Sequence, residues 1–177
     1  MLRAFLAVIL TLAVQHSYAQ ELPAPEFTLP NAAGEQVTLP RTQDGVDIYF
    51  FWASWCPYCK ALMPHLQSIE IEYGDDVTIY ALTIRDDEDP VPFMAEHGYD
   101  FELIPEADSI MELYGARSTP GVFIVDGNGN IRFNLYEMVF NDNEEMNAMG
   151  HGQKAGRRAP YWAAEIRKNI DQILAEQ

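Results

Sequence analysis

The fold of this chain is decided by residues Val46–Lys60, which read VDIYFFWASWCPYCK. The first part, Val46–Trp52, is a nearly continuous apolar and aromatic run, which is typical of a central strand buried on both faces. A Cys-Pro-Tyr-Cys motif follows at residues 56–59, and from Leu62 onward the apolar residues recur at helical spacing. The sequence therefore predicts a buried strand, a dithiol turn and a helix, with Pro64 as a kink inside that helix.

The position of the cysteine pair between a strand and a helix predicts redox chemistry. At a helix N-terminus, unpaired N–H groups and the helix dipole favour a thiolate, so the pKa of Cys56 should fall below about 8.5. Cys59 follows one helical turn later on the same face and can resolve a mixed disulfide. Pro57 suits the first turn because its missing N–H would be unpaired there. No other cysteine exists, and a disulfide across this short loop would constrain the unfolded chain little.

The rest of the chain predicts an α/β fold in which helices flank a mixed central sheet. Two short strands within residues 24–39 predict an N-terminal β-hairpin. Residues 141–158 are polar and contain glycine, which predicts a long loop over residues 137–158, and the apolar spacing after it predicts a C-terminal helix over residues 159–176. Further elements are predicted in the core, residues 23–136: strands at 77–84, 121–125 and 131–136, and a short helix at 91–97.

The composition indicates an acidic globular chain. It has 11 Lys and Arg against 27 Asp and Glu, a formal net charge of −16. This net charge argues against nucleic acid as a partner, because its phosphates would be repelled.

Residues 1–19 have the pattern of a secretory signal peptide. Arg3 precedes a short apolar run, Ala4–Val14, and Ser17-Tyr18-Ala19 forms a small-x-small cleavage pattern. The run is short for a membrane span, which needs about 20 apolar residues. We therefore expect cleavage near Ala19, a mature domain over residues 20–177, and a periplasmic or otherwise exported protein. The alternative is a membrane anchor formed by an uncleaved N-terminus.

The motifs together resemble the thioredoxin superfamily. Residues 52–60, WASWCPYCK, look like its active site, and Pro64 matches the kink proline of its catalytic helix. Thr119-Pro120, just before a predicted strand, matches the cis-proline loop that faces the cysteines. The N-terminal hairpin and the turn at residues 126–129 resemble the TlpA-like branch, which consists of exported and often reducing oxidoreductases.

This resemblance implies a thioredoxin-like fold and dithiol–disulfide exchange with protein substrates, with neither cofactor nor metal. Cys56 would attack and Cys59 would resolve the mixed disulfide. The reducing direction is the one expected, with electrons from a membrane redox partner. A cis bond before Pro120 would leave the Thr119 backbone able to pair with an extended substrate strand. The other site residues implied are those of the rim and substrate-binding loop: Trp55, Pro57, Tyr58, Thr119 and Pro120.

Two positions depart from the family pattern. The buried acid that many thioredoxins carry six residues before the first cysteine is replaced here by Phe50. Asp47 cannot substitute, because its odd spacing points it to the opposite face of the strand. Some reducing TlpA-like proteins place an acid three residues after the second cysteine, where this chain has Leu62. The proton acceptor for Cys59 is therefore unassigned. Pro57-Tyr58 is the dipeptide found in glutaredoxins, and by that analogy it is compatible with a potential of about −200 to −230 mV, more oxidising than that of thioredoxin.

Other functions use the same residues. One alternative is an oxidase or isomerase working in the opposite direction. A second is Cu(I) binding, because thiolates are soft ligands. Further copper ligands would be Met138, Met146, Met149 and His151. A third is a peroxidase, but that family places Pro and Thr seven and three residues before its reactive cysteine, where this chain has Tyr49 and Ala53. A fourth is an adaptor that only binds, against which the intact cysteine pair argues.

Overall fold

A computed structural model describes residues 22–138 and 144–177 of the chain. The predicted signal peptide, residues 1–19, and residues 139–143 of the predicted loop lie outside the described residues. The strands are β1 (Leu22–Pro23), β2 (Phe27–Pro30), β3 (Gln36–Leu39), β4 (Val46–Trp52), β5 (Val77–Thr83), β6 (Glu102–Ile104), β7 (Gly121–Asp126) and β8 (Asn130–Asn134). The α-helices are α1 (Pro57–Tyr73), α2 (Pro90–His97), α3 (Asp108–Met111), α4 (Glu144–Ala148) and α5 (His151–Ala175).

The described strands form a mixed sheet in the order β1-β8-β7-β4-β5-β6. Strand β4 is parallel to β5, and β5 is parallel to β6. Strand β7 runs antiparallel to β4 on its other side, and β8 and β1 continue the antiparallel half. Strands β2 and β3 pair separately as an antiparallel hairpin. The predicted mixed α/β fold with an N-terminal hairpin is thereby confirmed.

Strand β4 divides the core into two layers. Its even-numbered residues, including Phe50 and Trp52, pack on the face that carries α1 and α5. Its odd-numbered aromatic residues, Tyr49 and Phe51, pack on the other face against the hairpin and the region of α3. All seven residues of β4 are buried, as the apolar run predicted. Burying an apolar side chain of this size stabilises the fold by about 1.5–3 kcal/mol.

Helix α1 begins directly at the motif. Cys56 is its N-cap in extended backbone geometry, and Pro57 occupies the first turn. Pro64 lies inside the helix, as predicted. The buried stripe of α1 packs against the sheet and against α5, and it consists of Cys59, Leu62, Met63, Leu66 and Ile69.

The prediction of a loop over residues 137–158, followed by a helix from 159, is wrong for its second half. Helix α4 lies within the predicted loop, and α5 begins at His151 rather than near Pro160. Ala155 and Ala159 are buried two turns and one turn before Trp162, so the apolar face of α5 extends upstream of the proline. An interior proline costs a helix about 3 kcal/mol. The packing of α5 on α1 offsets this cost.

Strand β8 also ends earlier than predicted. The chain leaves the sheet at Asn134, whose side chain accepts the Tyr136 N–H, and residues Leu135–Glu137 form a 3-10 turn. Within the described part of the chain, none of the helices combines the length and apolar content needed to cross a bilayer.

Candidate active site

Three loops meet at one edge of the sheet because of the strand directions. Strands β4 and β5 are parallel, so the loops that follow both of them lie at the same edge. Strand β7 is antiparallel to β4, so the loop that precedes β7 lies there too. These loops carry Cys56 after β4, Arg85 after β5, and Thr119-Pro120 before β7. Residues far apart in sequence are therefore brought around the cysteines.

The Cys56 sulfur is held at the N-terminus of α1. It accepts a hydrogen bond from the Cys59 N–H at 3.2 Å, and the residue is only 2% exposed. Hydrogen bonds from the Cys59 thiol, and then from the Thr119 side chain and the Cys59 and Tyr58 backbone, lower the pKa of Cys56 to about 6, although burial opposes them. The lowered pKa predicted for this thiol is confirmed. A large fraction of Cys56 is therefore thiolate at neutral pH.

The Cys59 thiol has the opposite character. It is fully buried, and its side chain is hydrogen-bonded to Cys56. Burial first, and then the hydrogen bond and negative charge of Cys56, raise the pKa of Cys59 far above its usual range. Both residues are free thiols in this structure. The pair thus combines one thiolate at the N-terminus of α1 with one protonated, fully buried thiol.

Trp55 and the β5 loop form one wall of the site. Trp55 is 59% exposed, and its indole N–H donates to the Arg85 carbonyl at 2.7 Å. Asp86 holds the preceding residue by accepting hydrogen bonds from both the N–H and the hydroxyl of Ser54. Arg85 has a left-handed backbone (φ 51°), and Asp108 accepts its N–H at 2.9 Å. The rim is therefore fixed by specific contacts.

The loop before β7 forms the opposite wall. The peptide bond between Thr119 and Pro120 is cis, as predicted. The Ser118 carbonyl accepts a hydrogen bond from the Tyr136 hydroxyl. A Cβ at Gly121 would collide with that hydroxyl, so any other residue there would displace Tyr136 from its present position.

Two adjoining cavities open at these walls. The first, about 420 Å³, is lined by Cys56 and most of the residues predicted from sequence, together with Arg85, Arg117, Ser118 and His151. The second, about 360 Å³, includes Pro120 and continues past Tyr136 and Trp162. Tyr58 and His151 lie between the cavities, with the Tyr58 hydroxyl 3.4 Å from the His151 Nδ1 and the two rings edge to face.

All seven residues predicted for the site are thus brought together. Pro120 lines the second cavity, and Cys59 is fully buried. The other five line the first cavity: Trp55, Cys56, Pro57, Tyr58 and Thr119. The sequence interpretation missed the cationic and aromatic part of the walls: Arg85, Arg117, Tyr136, Arg158 and Trp162. The apolar spacing of residues 155, 159 and 162 is only a weak signal that α5 reaches the site, and Arg85 and Arg117 carry no local signal.

The positions that depart from the family pattern are buried and apolar. Phe50 and Leu62 are fully buried on the cysteine face. Asp47 is buried apart from the cysteines, where Arg41 donates to its carboxylate at 2.7 Å, as its odd spacing predicted. Burial raises the pKa of Asp47 despite this ion pair. Asp47 therefore interacts with Arg41 on the face of the strand opposite the cysteines.

Two of the residues named in the copper hypothesis lie at one cavity. Met138 and His151 both line the second cavity, next to Tyr58. Among residues 22–138 and 144–177, no group of three or more His, Cys, Asp or Glu side chains is arranged to hold a metal ion.

Comparison with known proteins matches the part of the chain that contains the cysteine pair and the cis-proline loop. Residues 21–134 match the AhpC/TSA family model. The thioredoxin-like protein YneN of Bacillus subtilis is 26% identical over 113 residues, covering 62% of this chain and 66% of that protein. A thiol:disulfide interchange protein DsbE homolog of Paracoccus denitrificans is 33% identical over 110 residues, covering 60% and 58%. The chain spans less than two thirds of the length of these relatives.

Solved structures show the same architecture. A putative thiol:disulfide interchange protein DsbE from Chlorobium tepidum superimposes with a TM-score of 0.59 at 27% identity, covering 64% of this chain and 82% of that one. An uncharacterized conserved protein from Geobacillus kaustophilus reaches a TM-score of 0.66 at 21% identity, covering 89% and 82%, which supports the fold alone. With the match over more than half of its length, this chain belongs to the AhpC/TSA family, within the thioredoxin superfamily, and resembles its TlpA-like members.

Proposed function

We propose that this protein is a thiol–disulfide oxidoreductase that exchanges the Cys56–Cys59 dithiol with protein substrates. The observation that carries the proposal is the asymmetry of the two thiols: the pKa of Cys56 is lowered to about 6, whereas Cys59 is buried and its pKa is raised. A thiolate is the attacking species in disulfide exchange. Cys59, a buried and protonated thiol one turn away, is suited to the second step, in which the mixed disulfide is resolved.

In the reducing direction, the Cys56 thiolate attacks one sulfur of a substrate disulfide. The substrate S–S bond breaks as the mixed disulfide forms, and the released substrate thiolate takes up a proton. Cys59 then loses its proton and attacks Cys56, releasing the second substrate thiol. Two electrons pass to the substrate, and the protein ends with a Cys56–Cys59 disulfide. The Thr119 backbone would align the extended substrate beside Cys56.

Trapping of the mixed disulfide tests this mechanism. Cys59→Ser removes the resolving thiol and should accumulate a covalent complex with a disulfide substrate, which non-reducing electrophoresis detects. Cys56→Ser is the matched control and should trap nothing. A Cys59→Ser protein that forms no adduct with any disulfide substrate would contradict the proposal.

The reducing direction and export are part of the same proposal. Electrons would come from a membrane redox partner, and residues 1–19 would be removed near Ala19 after secretion. Redox titration against glutathione measures the direction: a potential below about −200 mV supports a reductant, and one above about −180 mV overturns it in favour of an oxidase or isomerase. N-terminal sequencing of protein from fractionated cells tests export. A protein retained in the cytoplasm with residues 1–19 intact would contradict it.

Membership of the AhpC/TSA family raises the peroxidase alternative again. In this chain Tyr49 and Ala53 occupy the two positions that a peroxidase of the related fold gives to Pro and Thr, and Tyr49 is buried in the core layer on the other side of the sheet. We therefore expect the reduced protein to consume protein disulfides much faster than hydrogen peroxide. The reverse preference would favour the peroxidase function.

A further inference from the structure

The walls of the proposed exchange site differ in charge from the rest of the protein. The chain carries 27 acidic against 11 basic side chains. The two cavities beside Cys56 are nevertheless lined, among the described residues, by three arginines and by no carboxylate. The arginines are Arg85, Arg117 and Arg158. A cationic groove in an acidic protein indicates selection of an anionic ligand.

The guanidinium of Arg85 is placed at the first cavity by its own contacts. One of its terminal nitrogens donates to the Arg117 carbonyl at 3.2 Å, which ties the β5 loop to the segment that precedes Pro120. A guanidinium has five N–H donors, so this contact leaves most of them for a ligand. The planar fork of arginine matches the geometry of a carboxylate.

Two acidic side chains hydrogen-bond to the rim beside these arginines without forming an ion pair with them. Within residues 22–138 and 144–177, neither Arg85 nor Arg117 forms an ion pair. The two acids that contact this rim, Asp86 and Asp108, accept hydrogen bonds from Ser54 and from the Arg85 backbone N–H instead. Both arginine side chains are exposed at the cavity.

We propose that the groove beside Cys56 selects polypeptides in which the reactive cysteine is flanked by Asp or Glu, bound through Arg85 and Arg117. The proposal rests on the exchange function proposed above and specifies its substrate class. Attraction of such a segment accelerates encounter, since focused charge in a cleft raises association rates by about ten- to a thousandfold. It would also offset the general repulsion between an acidic substrate and an acidic protein.

Matched peptides test the proposal. Two disulfide-linked peptide dimers would be identical except for the residues on either side of the cysteine, Glu in one and Gln in the other. Reduction of each by the fully reduced, purified protein is followed in a single turnover by Trp fluorescence. We expect the Glu peptide to react about tenfold faster at low ionic strength, and the ratio to fall below about twofold at 0.5 M salt, where exposed charges are screened.

Substitutions assign the effect to residues. Arg117→Gln and Arg85→Gln should each reduce the Glu-to-Gln rate ratio by several-fold. Arg117→Gln is the safer variant, because no hydrogen bond from its side chain to the described residues is lost. Lys168→Gln is the control, since it removes an equal charge from an exposed part of α5 away from both cavities and should keep the ratio.

The outcomes separate this inference from the function on which it rests. If the wild-type protein reduces both peptides at equal rates, charge selection is refuted and the exchange function stands. If it reduces neither, the exchange function fails, and the inference fails with it. If the preference survives in both arginine variants, the assignment to Arg85 and Arg117 is overturned.

Discussion

Alkylation of Cys56 by iodoacetamide in the fully reduced protein should follow a titration with a midpoint near pH 6. The pKa of this thiol is lowered to about 6, and the thiolate is the species that reacts. Cys59 is fully buried, so the observed rate reports Cys56 alone.

The expected rates follow from the thiolate fraction and its reactivity. At pH 7 a thiol of pKa about 6 is about 90% thiolate, against about 3% for an ordinary cysteine of pKa about 8.5. Nucleophilicity falls with pKa, with a Brønsted slope of about 0.4–0.5, so the net rate advantage at pH 7 is only about twofold. At pH 5 the thiolate fractions differ by about 300-fold, and the net advantage becomes about twentyfold. The acid side of the profile is therefore the informative one.

Two variants identify the source of the shift. The hydrogen bond from the Cys59 thiol is the largest contribution to the lowered pKa. Cys59→Ala removes that donor while keeping the main-chain N–H, so its midpoint should move up toward pH 8.5. Cys59→Ser keeps a hydroxyl donor and should titrate below Cys59→Ala. A wild-type midpoint above about pH 8, or equal midpoints in wild type and Cys59→Ala, would refute the reasoning.

Three further predictions concern stability and the rim. The folded pKa of Cys56 lies below its unfolded value of about 8.5, so its contribution to stability is present above that pH and is lost as the pH falls through about 6. In urea unfolding, the free energy of unfolding of the reduced protein should fall by on the order of 3 kcal/mol relative to that of the oxidised protein between pH 8.5 and 6. A difference between the two forms that does not change with pH would contradict this prediction. Arg41→Met leaves Asp47 buried without its charged partner and should lower the free energy of unfolding in urea by on the order of 3 kcal/mol. The double variant Arg41→Met/Asp47→Leu should restore most of that loss. If the single and double variants lose the same free energy of unfolding, an uncompensated buried charge is not the cause. Trp55→Phe removes the hydrogen bond to Arg85 and should cost less than about 1 kcal/mol of stability but slow disulfide exchange several-fold in a stopped-flow assay; an unchanged rate would mean that the rim contact is dispensable.

The central part of the fold could be predicted because its signals are local and strong. The apolar run at residues 46–52, the dithiol motif and Pro64 each indicate one structure, and all three agree with one another. Asp47 was also placed correctly, because alternation along a strand fixes which face a side chain occupies.

The start of α5 was mispredicted because its first turns bury only alanines. Ala155 and Ala159 contribute little to a hydrophobic pattern, while Pro160 is a common first-turn residue and suggested a later start. Burial of Trp162 and packing on α1 override the proline. The arginines that line the cavities were missed for another reason. Arg85 follows β5 and Arg117 precedes β7, and the two come together only because these strands run in opposite directions in the sheet.

The convergence of separate loops at that edge has a consequence for how such proteins diversify. The residues that stabilise the sheet lie within the strands, whereas Arg85, Arg117 and His151 lie in loops or at a helix start. Under the selection proposed above, mutations at Arg85 and Arg117 would alter which partner is accepted while leaving the core layers and the cysteine pair unchanged. An ancestral scaffold of this kind can therefore acquire new client proteins by small changes at its rim, with the electron-transfer chemistry inherited intact.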